Sequence, residues 1–247
     1  MFEFQSHLIF PTHAVPPAGP WPPSAERLTL TTSGNKELVG IHLPPDEEAG
    51  ERTLVLGFGG NAWNGQDVAE YLHELFPGAD VVTFHYRGYR PSQGSPSADA
   101  LIADAPLIYD LATERVKAQR VVAVGFSIGS AVAATLAAER ALDGLILVTP
   151  FDSLKGVAQS MYPWLPIGPF FEHEMPAAAA IERTGVPVAI LAAELDEIVP
   201  ADRTQALREH VGNLVFDRTI ERAGHNDIYA RSDFHQAMRE AFDRLKV

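Results

Sequence analysis

The sequence predicts an α/β fold, with about eight strands in a mostly parallel sheet and helices on both faces. Short apolar runs alternate with longer helix-like stretches along most of the 247 residues. A short turn at 33–36 separates the first two strands, which indicates a hairpin beside parallel strands. One domain, residues 1–247, accounts for this length.

Composition narrows the class of protein. The net charge of −13 argues against nucleic acid and anionic membranes as partners. The absence of cysteine excludes disulfides and thiolate chemistry. No apolar run reaches the roughly 20 residues of a membrane span. The N-terminal residues 1–7 include an acidic residue where a signal peptide carries basic ones. We therefore expect a cytoplasmic protein without an integral membrane segment.

The elements follow in order along the chain. Residues 1–24 are rich in proline and predict an extended arm anchored by Leu8, Ile9, Phe10 and Trp21. Strands are predicted over 27–32, 38–43, 53–58, 80–84, 121–124, 145–148, 188–191 and 214–216. Helices are predicted over 66–76, 98–116, 130–138 and 234–246.

The connection after the sixth strand is too long for a simple crossover. Segment 151–185 contains aromatics and prolines, and long irregular segments are often lids or binding loops. We expect a short cap over the functional site, with Tyr162 and Trp164 contacting substrate. The alternative is that the segment packs as core at the edge of the sheet.

The most informative motif is 125–129, Gly-Phe-Ser-Ile-Gly, between a predicted strand and a predicted helix. This order is typical of the nucleophile elbow of a serine hydrolase, with Ser127 at the tip of the turn. A serine hydroxyl needs a general base. His225 follows the last strand, and Asp196 follows the strand before it, which gives the chain order Ser, acid, His. Rival acids are Asp152, Glu194 and Glu197.

The oxyanion hole should combine the N–H of Ile128 with that of Asn61 or Ala62, in the Gly-rich loop after the third strand. Gly60 and Trp63 of the same loop are expected to contact the substrate. The loop lacks the G-x-G-x-x-G spacing of a dinucleotide site. Neither a metal nor an organic cofactor is expected.

These motifs together resemble the α/β-hydrolase superfamily. The similar branch includes monoacylglycerol-lipase-like enzymes and α/β-hydrolase-domain protein depalmitoylases. The segments that carry the resemblance are 58–62, 84–97, 194–200 and 224–227. The resemblance implies Ser127 as nucleophile, Asp196 as acid and His225 as base. Arg90 departs from the pattern, because glycine is usual there.

The predicted function is hydrolysis of a small-molecule carboxylic ester or thioester with a hydrophobic acyl or alcohol group. An aminopeptidase-like activity is the first alternative, since acids could bind a free amine. The candidate acids are Glu172, Glu174 and Glu197. A non-catalytic binding protein on this fold is the second alternative, although such proteins usually lose a member of the triad.

Overall fold

A computed structural model describes residues 9–47, 50–161, 171 and 173–245. The strands are β1 (Glu26–Thr31), β2 (Glu37–Leu43), β3 (Thr53–Phe58), β4 (Asp80–Phe84), β5 (Arg120–Phe126), β6 (Gly144–Val148), β7 (Val188–Ala193) and β8 (Leu214–Ile220). The helices are α1 (Gly65–Leu75), α2 (Ala98–Val116), α3 (Ile128–Ala137), α4 (Leu154–Met161), α5 (Ala177–Ile181), α6 (Ala201–Arg208) and α7 (Ser232–Arg244).

The eight strands form one sheet in the order β1-β2-β4-β3-β5-β6-β7-β8. β2 is antiparallel to both of its neighbours, β1 and β4. The pairs β3–β4, β6–β7 and β7–β8 are parallel. The predicted α/β fold with its opening hairpin is therefore confirmed. The tight turn of the hairpin is made possible by Asn35, whose φ of +52° this residue type tolerates well.

The chain divides into two compact units, Met1–Ala123 and Val124–Val247; the prediction of one domain stays a prediction. In the first unit, the proline-rich arm is held by Phe10, which is only 1% exposed. Trp21 is 37% exposed, and its role as an anchor stays a prediction. Its indole N–H donates to the carbonyl of Ala25, which leaves the ring at the surface. Leu8 lies outside the described residues.

Side-chain amides also hold the arm. Asn64 Nδ2 donates to the carbonyl oxygen of Pro16 at 3.3 Å. Gln66 Nε2 donates to the carbonyl oxygens of Gly19 and Pro20 at 3.3 and 3.0 Å. Carbonyls in a proline-rich segment have few backbone donors nearby, so amides near the start of α1 take that place.

In the second unit, β6 and β7 are buried along their whole length. Segment 151–185 contributes α4 and α5 to this unit. α5 packs against α3, and its residues Ala177, Ala180 and Ile181 are buried, so this helix of the segment belongs to the core. Tyr162 and Trp164 lie outside the described residues. A cap role for this segment stays a prediction.

None of the helices in the described ranges has both the length and the apolar composition required to cross a membrane.

Candidate active site

Ser127 lies at a sharp turn between β5 and α3. Its backbone has φ +51° and ψ −115°, a conformation that costs a non-glycine residue about 1–3 kcal/mol. Its N–H donates to the carbonyl of Val148 at the end of β6, at 2.8 Å. A Cβ on Gly125 would lie 2.6 Å from the Cα of Ser130, so only glycine fits before the turn.

His225 reaches the Ser127 hydroxyl from the loop that follows β8. Its Nε2 lies 3.0 Å from Ser127 Oγ, within hydrogen-bond reach of a general base. The loop between β8 and the 3₁₀ turn Ile228–Ala230 carries the imidazole. The residue is 6% exposed, so bulk water has little access to this hydrogen bond.

Asp196 holds the other ring nitrogen of His225. Its Oδ1 and Oδ2 lie 2.9 and 2.8 Å from Nδ1. Oδ1 also accepts from the backbone N–H groups of Ile198 and Val199, at 2.9 and 2.7 Å. A carboxylate only accepts hydrogen bonds, so Nδ1 must carry a proton, and neutral His225 is left with Nε2 as an acceptor for the serine hydroxyl.

The rival acids occupy other positions. Asp152 pairs with the guanidinium of Arg203 at 3.4 Å. Glu194 accepts from the backbone N–H of Arg222 at 2.6 Å, and Glu197 accepts from the backbone N–H of His225 at 3.1 Å. Of the candidate acids, Asp196 is thus the one bonded to the imidazole ring.

Tyr229 is a neighbour of this site that the sequence did not indicate. Its ring packs edge-on against Phe126, which precedes the serine, at 5.8 Å between centroids, and against Phe234 at 6.0 Å. Burial raises the pKa of Tyr229 to about 12, and the negative charge of Asp196 acts in the same direction. The phenol therefore stays neutral beside the Asp196 carboxylate at physiological pH.

Backbone strain recurs at neighbouring strand ends. Thr149, which follows β6, has φ +46°, and Arg222, in the loop after β8, has φ +53°. Together with Ser127, these residues place strained, non-glycine backbone after β5, β6 and β8. Such strain is typical of functional sites, where the surrounding fold imposes it.

Ile128 is the first residue of α3. At this position the N–H has no intrahelical acceptor, and the helix dipole makes it a favourable partner for negative charge. It therefore has the chemistry that an oxyanion donor requires.

The other predicted oxyanion residues form a turn in the first unit. Ala62 has φ +59°, and its N–H donates to Asn61 Oδ1 at 3.1 Å. Asn61 Nδ2 donates to the carbonyl oxygen of Ile9 in the arm. Gly60 is buried, whereas Trp63 is partly exposed and its ring lies 5.5 Å from that of Tyr71.

Two tyrosines support this turn, and sequence reasoning assigned them no role. Tyr86 Oη donates to the carbonyl of Gly59 at 2.7 Å, and Tyr89 Oη donates to Asn61 Oδ1 at 2.9 Å. Burial raises the pKa of Tyr86 well above its usual range and that of Tyr89 to about 12, so both remain donors. Both belong to the motif 84–89, and this motif was the only feature of the sequence that could have indicated their role.

Arg87 in the same motif has a structural partner. Its Nε lies 3.0 Å from Asp104 Oδ2, and Nη2 bonds the other carboxylate oxygen, which makes a bidentate pair with the buried acid of α2. This pair fixes the segment between the two tyrosines to the helix. Arg90, the residue that departs from the family pattern, is exposed.

Two of the three acids proposed for an amine-binding subsite have other partners. Glu174 pairs with Lys155 at 2.8 Å. Glu197 binds the His225 backbone, and Glu172 lies outside the described residues.

Known proteins are similar to this chain in sequence and in fold. The family described as alpha/beta hydrolase fold matches residues 54–180. Uncharacterized protein Rv2307c of Mycobacterium tuberculosis is 32% identical over 86% of this chain and 78% of its own length. The lysophosphatidylserine lipase ABHD12 of Danio rerio is 32% identical over 60% of this chain and 44% of its own length.

Solved structures share the fold. The Pyrococcus furiosus esterase Pf2001 superposes with a TM-score of 0.74 at 19% identity, covering 94% of this chain and 97% of that one. The matched family covers the strand, elbow and helix around Ser127 as well as the turn at Asn61. On these grounds the chain belongs to the α/β-hydrolase fold family.

Proposed function

We propose that this protein is a serine hydrolase that cleaves a carboxylic ester or thioester through an acyl-enzyme on Ser127. The observation that carries the proposal is the unbroken hydrogen-bonded chain from Ser127 Oγ through His225 to Asp196. The similar proteins from Danio rerio and Pyrococcus furiosus are named as a lipase and an esterase, which fits ester chemistry.

In the first step, Ser127 Oγ attacks the acyl carbonyl carbon while His225 Nε2 accepts the hydroxyl proton. Asp196 stabilises the imidazolium that forms, because its carboxylate already binds Nδ1–H. The tetrahedral oxyanion accepts from the N–H of Ile128. An N–H of the turn at Asn61 and Ala62 stays the predicted second donor. Asn61 N–H is the first choice in that turn, since the N–H of Ala62 donates to Asn61 Oδ1.

In the second step, His225 returns the proton to the departing alcohol or thiol, and the acyl group remains on Ser127. His225 then accepts a proton from water, and the hydroxide oxygen attacks the acyl carbonyl. As this second intermediate collapses, His225 Nε2–H returns its proton to Ser127 Oγ, which restores the serine hydroxyl and releases the carboxylic acid. Each proton moves through Nε2, so one correctly oriented imidazole serves both halves of the reaction.

The substrate is proposed to carry an apolar acyl or alcohol group. Gly60 and Trp63 would line its path, and Tyr162 and Trp164 of segment 151–185 would contact its chain. Apolar and aromatic side chains at these positions would favour such a group, because burial of each methylene contributes about 0.8 kcal/mol to the binding free energy.

A panel of substrates tests the proposal. Purified parent and Ser127→Ala proteins are compared on p-nitrophenyl esters of increasing acyl length, the matching thioesters and aminoacyl-naphthylamides. We expect the parent to turn over esters or thioesters and the variant to lose at least about 10³-fold in kcat. Faster cleavage of the naphthylamides would favour the peptidase alternative. Equal ester turnover by both proteins would refute the role of Ser127.

A further inference from the structure

The loop that carries Asp196 and the loop that carries His225 are joined along their length. We call residues 194–199 the acid loop and residues 220–227 the histidine loop. The N–H of Glu194 donates to the carbonyl of Ile220 at 3.1 Å, and the N–H of Leu195 donates to that of Ala223 at 2.8 Å. These backbone bonds continue the β7–β8 pairing past the strand ends and bring the two loops into register.

Carboxylates of the acid loop add a second set of bonds. Glu194 Oε2 accepts from the backbone N–H of Arg222 at 2.6 Å, and Glu197 Oε2 accepts from the backbone N–H of His225 at 3.1 Å. Since Asp196 binds the ring of the same histidine, adjacent residues hold His225 at two points. One bond fixes the main chain at its amide nitrogen, and the other fixes the imidazole at Nδ1.

We propose that Glu197 is a positioning residue for His225, an inference that rests on the proposed serine hydrolase function. Asp196 alone leaves the imidazole free to follow any movement of its own backbone. The Glu197 carboxylate removes that freedom by tying the His225 amide to the acid loop. The 3.0 Å separation between Nε2 and Ser127 Oγ is thereby held within hydrogen-bond reach.

The lack of a side chain at Gly224 is compatible with this contact. A Cβ on Gly224 would lie 3.0 Å from Glu197 Oε2, closer than side chains normally approach. The N–H of Gly224 donates to Asp227 Oδ1 at 2.6 Å, so successive amides of the histidine loop bind different carboxylates. Absence of a side chain at 224 thus leaves room for the Glu197 carboxylate beside the His225 amide.

Glu194 offers a matched control. Its carboxylate is also exposed and also accepts from a backbone N–H of the histidine loop. The amide that it binds belongs to Arg222, three residues before His225. A merely structural clasp between the loops would make the two glutamates equivalent, whereas a positioning role confines the effect on chemistry to Glu197.

The first experiment compares Glu197→Ala, Glu197→Gln and Glu194→Ala on the best p-nitrophenyl ester. We expect Glu197→Ala to lower kcat by about 10- to 100-fold with little change in KM, because a displaced base affects the chemical step. Glu197→Gln should keep kcat within about threefold of the parent, since its side-chain oxygen still accepts from the amide. Glu194→Ala should also stay within about threefold.

Equal losses in Glu197→Ala and Glu197→Gln would overturn the proposal, because they would assign the effect to charge. An unchanged Glu197→Ala, or an equal loss in Glu194→Ala, would overturn it too. Thermal unfolding of each variant establishes that the comparison is made on folded protein.

A second measurement does not depend on activity. Amide hydrogen exchange followed by NMR should show faster exchange at His225 in Glu197→Ala, and parent-like exchange there in Glu197→Gln. Unchanged exchange at His225 in Glu197→Ala would refute the contact. If the parent hydrolyses no ester, the proposed function fails, while the exchange data still decide whether Glu197 holds His225.

Discussion

Replacing Asp196 with asparagine should reverse the proton arrangement on His225 while leaving the fold in place. The N–H groups of Ile198 and Val199, at 2.9 and 2.7 Å from Oδ1, require an oxygen at that position. The amide nitrogen of Asp196→Asn must then occupy the Oδ2 position, 2.8 Å from His225 Nδ1. An N–H donor there competes with the asparagine oxygen, which stays 2.9 Å from Nδ1, and favours the tautomer in which Nδ1 accepts and Nε2 carries the proton. In that tautomer Nε2 can no longer take a proton from Ser127.

The size of the effect follows from this tautomer error. The same error in serine proteases lowers kcat about 10⁴-fold, which corresponds to about 5 kcal/mol of activation free energy. The opposite orientation of the asparagine amide is unfavourable, because its NH₂ group would then face the N–H groups of Ile198 and Val199. Three donors would meet without an acceptor, at a cost of about 1–3 kcal/mol. The folded state keeps its backbone hydrogen bonds, so the midpoint of thermal unfolding should change little.

The assay is steady-state hydrolysis of a p-nitrophenyl ester by parent, Asp196→Asn and Asp196→Ala. Asp196→Ala should lose activity as well, but it should also be less stable by about 1–3 kcal/mol, because two backbone N–H groups lose their acceptor. If Asp196→Asn kept kcat within tenfold of the parent, the assignment of Asp196 as the acid would be refuted.

Three further predictions concern stability and the supporting turn. Burial lowers the pKa of His85 from 6.5 to about 4, so the unfolded chain takes up this proton at a higher pH than the folded protein does. The free energy of unfolding of the parent should therefore fall by up to about 3 kcal/mol between pH 7 and pH 4. The fall should be smaller in His85→Asn. Gly125→Ala should lose about 1–3 kcal/mol and most activity, whereas Gly212→Ala, whose Cβ would meet nothing within 4 Å, should not. Tyr89→Phe should lose about 0.5–1.5 kcal/mol of stability and some activity, because Asn61 Oδ1 loses a donor.

Each of these three predictions would be contradicted by a specific measurement. Urea unfolding with the same pH slope in parent and His85→Asn would show that another group controls acid stability. Thermal unfolding and ester assays of the two glycine variants should separate them, and equal midpoints would contradict the close approach at Gly125. A Tyr89→Phe protein with parent stability and parent kcat would show that its hydroxyl does not support the turn.

The sequence predicted the fold and the order of the site because both depend on local patterns. Alternating residues marked the first two strands and apolar runs marked the others. The motif at 125–129 carries its own geometry, since a glycine at 125 is needed where Ser130 packs closely. Chain order then selected Asp196 and His225, because loops at the ends of parallel strands meet at one edge of a sheet.

Long-range side-chain contacts could not be predicted in this way. The bond from Tyr89 to Asn61 joins residues 28 positions apart, and nothing in either local pattern requires it. The same holds for Tyr229 beside Asp196 and for the carboxylate of Glu197 on the His225 amide. The 37% exposure of Trp21 could not be predicted either, because aromatic character indicates burial only where the fold supplies a surface to bury against.

The residue that a fluorophosphonate labels covalently tells directly whether Ser127 is the nucleophile. The parent is treated with the probe, digested and mapped by mass spectrometry, alongside Ser127→Ala and His225→Ala. We expect one phosphonylated residue, Ser127, in the parent, with no label in Ser127→Ala and much slower labelling in His225→Ala. A label on another residue, or an ester-hydrolysing parent that the probe leaves unmodified, would contradict it.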